Sequence, residues 1–193
     1  MNNPLPSNLV PDRWLADTFI AGGYAAMPER ASDIDVWVTV PVENNLGAVR
    51  GELLDHLREE GFVFDTQDEA RTRNIDVWVD AYTNLQTMKV ALVKGLSPKT
   101  DASTGYYFHQ PIHLIVTNGT VDDVLDSFDL STHQIALVQE KGDWVPVKGL
   151  NYTPVTQVPT FLKFTPTTDE RFDKLMKRYA DFNGITRETT NGF

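Results

Sequence analysis

"IAGGYAAMPERASDIDVWV", residues 20–38, carries the reading of the whole chain. An apolar run ends at Gly22-Gly23, and a little further on Asp33 and Asp35 flank a single isoleucine. From there Ile34, Val36, Val38 and Val40 alternate with Asp33, Asp35, Trp37 and Thr39, the pattern of a strand with two unlike faces. Residues i and i+2 of a strand project from one face, about 6–7 Å apart. Two carboxylates so placed repel each other and lose hydration unless something positive lies between them. A divalent cation such as magnesium meets that need, because it takes hard oxygen ligands and keeps room for waters and substrate phosphates. The glycines point the same way: a Gly-Gly turn lets the backbone approach a phosphate, and the N–H groups of a following helix face the anion. The plainer reading makes Gly22-Gly23 an ordinary turn, Asp33 a cap and Asp35 a solvent-facing side chain. Trp37, on the aspartate face, reads as a packed edge residue before a base-stacking platform.

Working outward, the 193 residues suffice for a single domain over 1–193 with a real core, and 41% of them are hydrophobic. Three prolines in the first eleven residues mark an extended arm over 1–12. No stretch approaches 18 consecutive apolar residues and the start has no signal-peptide pattern, so a membrane partner is not expected. The absence of cysteine excludes disulfides, thiolate nucleophiles and Cys-ligated zinc, and agrees with a cytoplasmic protein. A net charge of −10 argues against an extended nucleic-acid surface, which needs many Lys and Arg contacts to phosphates.

"DRWLADTF" reads as a short helix with Trp14, Leu15 and Phe19 inward, and "FIAGG" as a short buried strand. Leu46, Val49, Leu53, Leu54 and Leu57 recur at helical spacing, with Asn45 to cap the start and Gly61 to close the end. "GFVFD", "RNIDVWVDAY", "MKVALV", "PIHLIV" and "HQIALV" read as strands, and "LSPKTDASTG" as a loop. Thr120 and Asp123 form the capping box of a second helix with Val121, Val124, Leu125 and Phe128 inward. "VKGLNYTPVTQVPTF" reads as coil. A last helix spans 166–183, capped by Thr167 and Glu170 and striped by Phe172, Leu175, Met176 and Tyr179. Strands and helices mix without regular alternation, so the fold class is α+β: a small mixed sheet flanked by helices. The pentapeptide "IDVWV" recurs at 34–38 and 75–79, too little for a repeat architecture.

Gly22-Gly23 followed at this distance by Ser32-Asp33-Ile34-Asp35-Val36 resembles the signature of the DNA polymerase β-type nucleotidyltransferase superfamily. The resemblance implies a minimal nucleotidyltransferase core, with Asp33 and Asp35 holding Mg2+ (or Mn2+) and Gly22, Gly23 and Ser32 binding the triphosphate of an NTP, ATP first among them. It implies transfer of an NMP to an acceptor hydroxyl on a small molecule, a protein or a tRNA end. One cation would activate that hydroxyl and another would stabilise the pyrophosphate leaving group. Members usually carry a third acid on a neighbouring strand, where this chain departs from the pattern. "PIHLIV" looks like that strand, yet its polar position is His113, a candidate third ligand whose neutral imidazole would bind a metal, although magnesium prefers oxygen, or donate to a phosphate, and which also reads as a core histidine. Asp129, in "SFDLSTHQIAL", and Asp76, in the second "IDVWV", are the oxygen candidates, and Asp129 is preferred because packing explains it poorly. The block around Asp129 is similar to a pattern in nucleotidyltransferase-like proteins of phages and large viruses. With its triad degraded, the same fold would serve as a nucleotide-binding or interaction module.

Other features carry less. His109, His113 and His133 lack the spacing of a helical zinc site. No Gly-x-Ser-x-Gly or Walker-type run occurs. Arg171, Lys174, Lys177 and Arg178 make a basic stripe on the last helix, a solvated face or a hold on acceptor phosphates. Arg71 and Arg73 are further candidates for reaching a triphosphate.

Overall fold

The computed structural model describes residues 4–66, 77–79, 85–97 and 106–163, with five helical positions between 173 and 180. Asp76, Asp80, Arg71, Arg73, Arg171 and Arg178 lie outside the described residues, as do most of the loop candidate and most of the last helix. Among the described residues the elements are α1 (Asp12–Leu15), β1 (Thr18–Ala21), α2 (Gly23–Ala26), β2 (Ile34–Thr39), α3 (Leu46–Glu59), β3 (Phe62–Asp65), β4 (Val77–Val79), β5 (Gln86–Leu96), β6 (Tyr106–Thr117), α4 (Val121–Ser127), β7 (Ile135–Glu140) and β8 (Asp143–Lys148). Short 3-10 turns occupy Pro28–Arg30 and Ser131–His133.

All the strands join one mixed sheet in the order β3-β5-β6-β2-β1-β7-β8, while β4 pairs with the other half of β5's outer edge. Every pairing is antiparallel except β2 with β6. The α+β reading therefore holds. The alternation in β2 sorts as expected: Ile34, Val36, Val38 and Val40 enter the larger core with Leu53 and Leu57 of α3, whereas Trp37 joins Phe19, Ile115, Val124 and Leu125 on the opposite side.

α3 forms where the leucine spacing places it. Asn45 Oδ1 accepts from the N–H groups of Gly47 and Ala48, and Gly61, with φ of 78°, turns the chain out of the helix. Its buried Leu53 and Leu57 each contribute about 1.5–3 kcal/mol by leaving water. α4 carries the Thr120–Asp123 capping box in both directions. The N-terminal arm is fastened: Leu9 and Val10 are buried, and the side chain of Asn8 donates to Glu60.

The structure corrects three local expectations. α1 stops at Leu15, so Phe19 belongs to β1 and not to a helical stripe. Val147 and Lys148, the start of the stretch read as coil, belong to β8 together with Asp143–Pro146, which the sequence left unassigned; β8 is an edge strand whose Pro146 faces Leu137, and at an edge a missing N–H is tolerated. "PIHLIV" is only the second half of a strand that begins at Tyr106, and residues 108–111 sit at a register break against β5.

Candidate functional site

Gly22 caps the one-turn helix α2 with φ of 83° and ψ of −141°, a conformation that side-chain-bearing residues rarely adopt. Its N–H donates to the Ile135 carbonyl on β7 at 3.3 Å, so this group is engaged within the sheet. Gly22 therefore contributes shape and not a donor. The first-turn N–H groups of α2, beginning with Gly23, have no acceptor one helical turn earlier in the chain. A methyl group at Gly22 would lie 3.4 Å from Asp35 Oδ2 and 3.6 Å from Phe128 Cζ. The glycine turn and the Asp35 carboxylate are thus neighbours in space.

β2 carries Asp35 on the face opposite α3, and Asp33 lies in the bend that leads into the strand. Asp33 stands just before the strand, its side chain 43% exposed, and its Oδ1 accepts from the Ser32 hydroxyl at 3.2 Å. Across the parallel pair the register sets Asp35 beside His113 and Trp37 beside Ile115. His113 Nε2 lies 3.8 Å from Asp33 Oδ2, with 30% of the imidazole exposed. Burial lowers the His113 pKa from its ordinary 6.5; the Asp33 charge pulls the other way, and Lys89 adds to the lowering. The ring is accordingly neutral at physiological pH, with a lone pair on one nitrogen.

Gln110 is a residue the sequence did not single out. Its amide donates to the carbonyls of Pro28 at 3.0 Å and Ala31 at 2.9 Å, tying to β6 the segment that leads into Ser32 and Asp33. Phe128, expected as an inward residue of the second helix, stands just past α4, where its ring lies beside Gly22 and meets Trp37 edge-on at 6.3 Å. Trp37 itself is packed, stacked on Phe19 with 9% of its surface exposed.

Asp129 lies in the turn after α4, 4% exposed, and its backbone oxygen accepts from the N–H groups of Leu162 and Lys163. The residue that the sheet sets beside Asp35 is His113. His133 is buried and meets Phe128 edge-on. Among the described residues, no three His, Asp or Glu side chains converge, as they lie, into a group that would hold a metal ion. Nor is any described helix long and apolar enough to cross a membrane.

Neither protein-family models nor curated proteins give a match to this chain.

Proposed function

We propose that this chain is a metal-dependent nucleotidyltransferase core that moves an NMP, AMP from ATP in the first instance, onto an acceptor hydroxyl in the cytoplasm. The observation that carries the reading is the nearness of the Asp35 carboxylate to the Gly22 turn, 3.4 Å from where a Cβ on Gly22 would stand; a turn able to accept an anion beside a cation-attracting side chain suits a metal-bound triphosphate. The donor set suits the ion: Asp33 and Asp35 offer hard oxygens to Mg2+ or Mn2+, and their partial exposure leaves space for waters and phosphate. When bound, such an ion supplies charge stabilisation for the phosphates and a lowered pKa for the acceptor hydroxyl.

The chain's residues then divide the work. Asp33 and Asp35 hold the ion, Gly23 and the first turn of α2 receive the phosphates, and Ser32 orients Asp33 through its hydroxyl. Asp129 is the proposed third carboxylate. In the transfer, a bond forms between the acceptor oxygen and the α-phosphorus, and the bond from that phosphorus to the bridging oxygen breaks. Pyrophosphate leaves with the electron pair, and the acceptor proton passes to solvent. Calorimetric titration of ATP with and without Mg2+, followed by an assay for pyrophosphate release, tests the reading. Absence of metal-dependent ATP binding overturns it.

A second reading has its own support. His113 takes the place beside Asp35 where the resemblance implies an acid. A site short of one carboxylate binds Mg2+–ATP without turning it over, as a nucleotide-binding module would. Binding without pyrophosphate release over long incubation selects that reading.

A further inference from the structure

We propose that the outer edge of β8 is a latent interface for a second copy of this chain, held shut by Pro146.

The phase of β8 is fixed at both ends. At its start the turn Lys141-Gly142, with φ of 53° and 90°, closes a hairpin that sets Glu140 opposite Asp143. At its end the N–H of Gly149 donates to the Gln134 carbonyl at 2.8 Å. Along an antiparallel strand, residues that bond the neighbour alternate with residues whose N–H and C=O groups turn away from it. Asp143, Val145, Val147 and Gly149 therefore bond toward β7, and the backbone groups of Trp144, Pro146 and Lys148 turn outward. The strand order ends at β8, and no described strand pairs with its outer side. The other end of the sheet is managed differently. There β3 and β4 share the outer edge of β5, and Arg50 Nε donates to the Lys89 carbonyl between them at 3.0 Å.

An outward-facing edge is a template for another strand. Its own copy suits it in shape and in charge. Two β8 strands related by a two-fold axis at Pro146 run antiparallel and bring all the outward positions into register. Val145 then stands opposite the partner's Val147, a pairing of β-branched side chains. The same arrangement lays the acidic start of each strand, Asp143, beside the basic end of the other, Lys148. At the axis Pro146 meets Pro146, where a ladder would place one N–H···O bond from each strand. Proline has no N–H, and its ring occupies the space that the partner's carbonyl needs. Both central bonds are thus removed by one exposed residue.

The experiment uses the full chain. Sedimentation velocity over a concentration series compares the wild type, Pro146→Val, and Pro146→Val with Lys148→Glu. Restoring the two central bonds should raise self-association of Pro146→Val at least about tenfold over the wild type. Lys148→Glu puts acid beside acid at both strand ends and should reverse that gain. Amide hydrogen exchange, read by NMR, tests the edge directly in the wild type, whether or not the variants fold. The Val145 and Val147 amides should exchange slowly and the Lys148 amide fast at every dilution. In Pro146→Val the Lys148 amide should slow as concentration rises. Unchanged association in a folded Pro146→Val, or a gain that survives Lys148→Glu, overturns the proposal. So does a wild-type Lys148 amide as slow as that of Val147, which would mean that another segment or another copy already covers the edge.

Discussion

His113 stands directly beside Asp35 across the parallel β2–β6 pair, and its Nε2 reaches to 3.8 Å from Asp33. Because burial lowers its pKa below 6.5, the unfolded chain takes up this proton before the folded one does. Stability from this group is complete above the unfolded value. It declines as pH falls from 6.5 toward the folded value, then levels off. Urea midpoints of the metal-free protein between about pH 7.5 and pH 5 should therefore fall more steeply in the wild type than in His113→Gln. Asp33→Asn removes the charge that opposes the shift and should steepen the fall further. Parallel curves for wild type and His113→Gln would show that the imidazole is not the group concerned.

Gly22 is the position where backbone shape and site chemistry meet. At φ of 83° a side chain is strained, although its Cβ would meet Asp35 Oδ2 and the Phe128 ring only at ordinary van der Waals distances. Gly22→Ala should cost about 1–3 kcal/mol of folding stability. It should also weaken metal-dependent ATP binding, because relief of the backbone strain reshapes the turn beside Asp35. Gly23→Ala is the comparison: nothing lies within 4 Å of its added carbon and it sits in the helix, so its stability should stay near that of the wild type. Equal losses at the two glycines in a denaturant titration would contradict the strain account.

Gln110 predicts an effect at a distance. Its two hydrogen bonds to Pro28 and Ala31 hold the approach to Asp33, and each is worth about 0.5–1.5 kcal/mol. Gln110→Ala should destabilise the protein by about 1–3 kcal/mol and weaken dication binding, although Gln110 touches no proposed ligand position. Gln110→Glu keeps one acceptor-type side chain of the same length but cannot donate to two carbonyls, so it should lose as much. Dication affinity unchanged in a variant that is clearly destabilised would separate the clamp from the site.

Local rules carried the parts of this fold that local interactions decide. The β2 alternation, the Asn45 cap of α3 and the Thr120–Asp123 box are each a matter of neighbouring residues, and each was readable. β8 was not, because Pro146 and the charged ends of "DWVPVK" suppress the strand signal and only pairing with β7 makes it a strand. Phe19 differs from its helical expectation for a related reason: helical spacing from Trp14 runs past the point where Thr18 joins β1 and pairing with β2 takes over. In the site, the glycines and aspartates were legible as a spacing. The strand bearing His113 was legible as the expected neighbour of the aspartates through the family resemblance, but its register beside Asp35 comes from a parallel pairing of strands far apart in the chain, which no local pattern encodes. Gln110 and Phe128 reach the site through tertiary contacts of the same kind.

Asp33→Asn separates structure from chemistry at the carboxylate pair. Asparagine keeps an oxygen for the Ser32 hydroxyl and matches the size of aspartate, so the local hydrogen bond survives. The side chain is 43% exposed, and a substitution there away from core contacts shifts stability by no more than about 0.5 kcal/mol. Removing one of two like charges from a single strand face also relieves repulsion, so the metal-free melting temperature near neutral pH should hold or rise slightly. An ion held between Asp33 and Asp35 loses a charged ligand, and the rise in melting temperature that Mn2+ produces in the wild type should vanish. The two readouts thus move independently if Asp33 is a ligand. Were Asp33 a structural cap, metal-free stability would drop, and the wild type would show no dication-induced rise for the variant to lose.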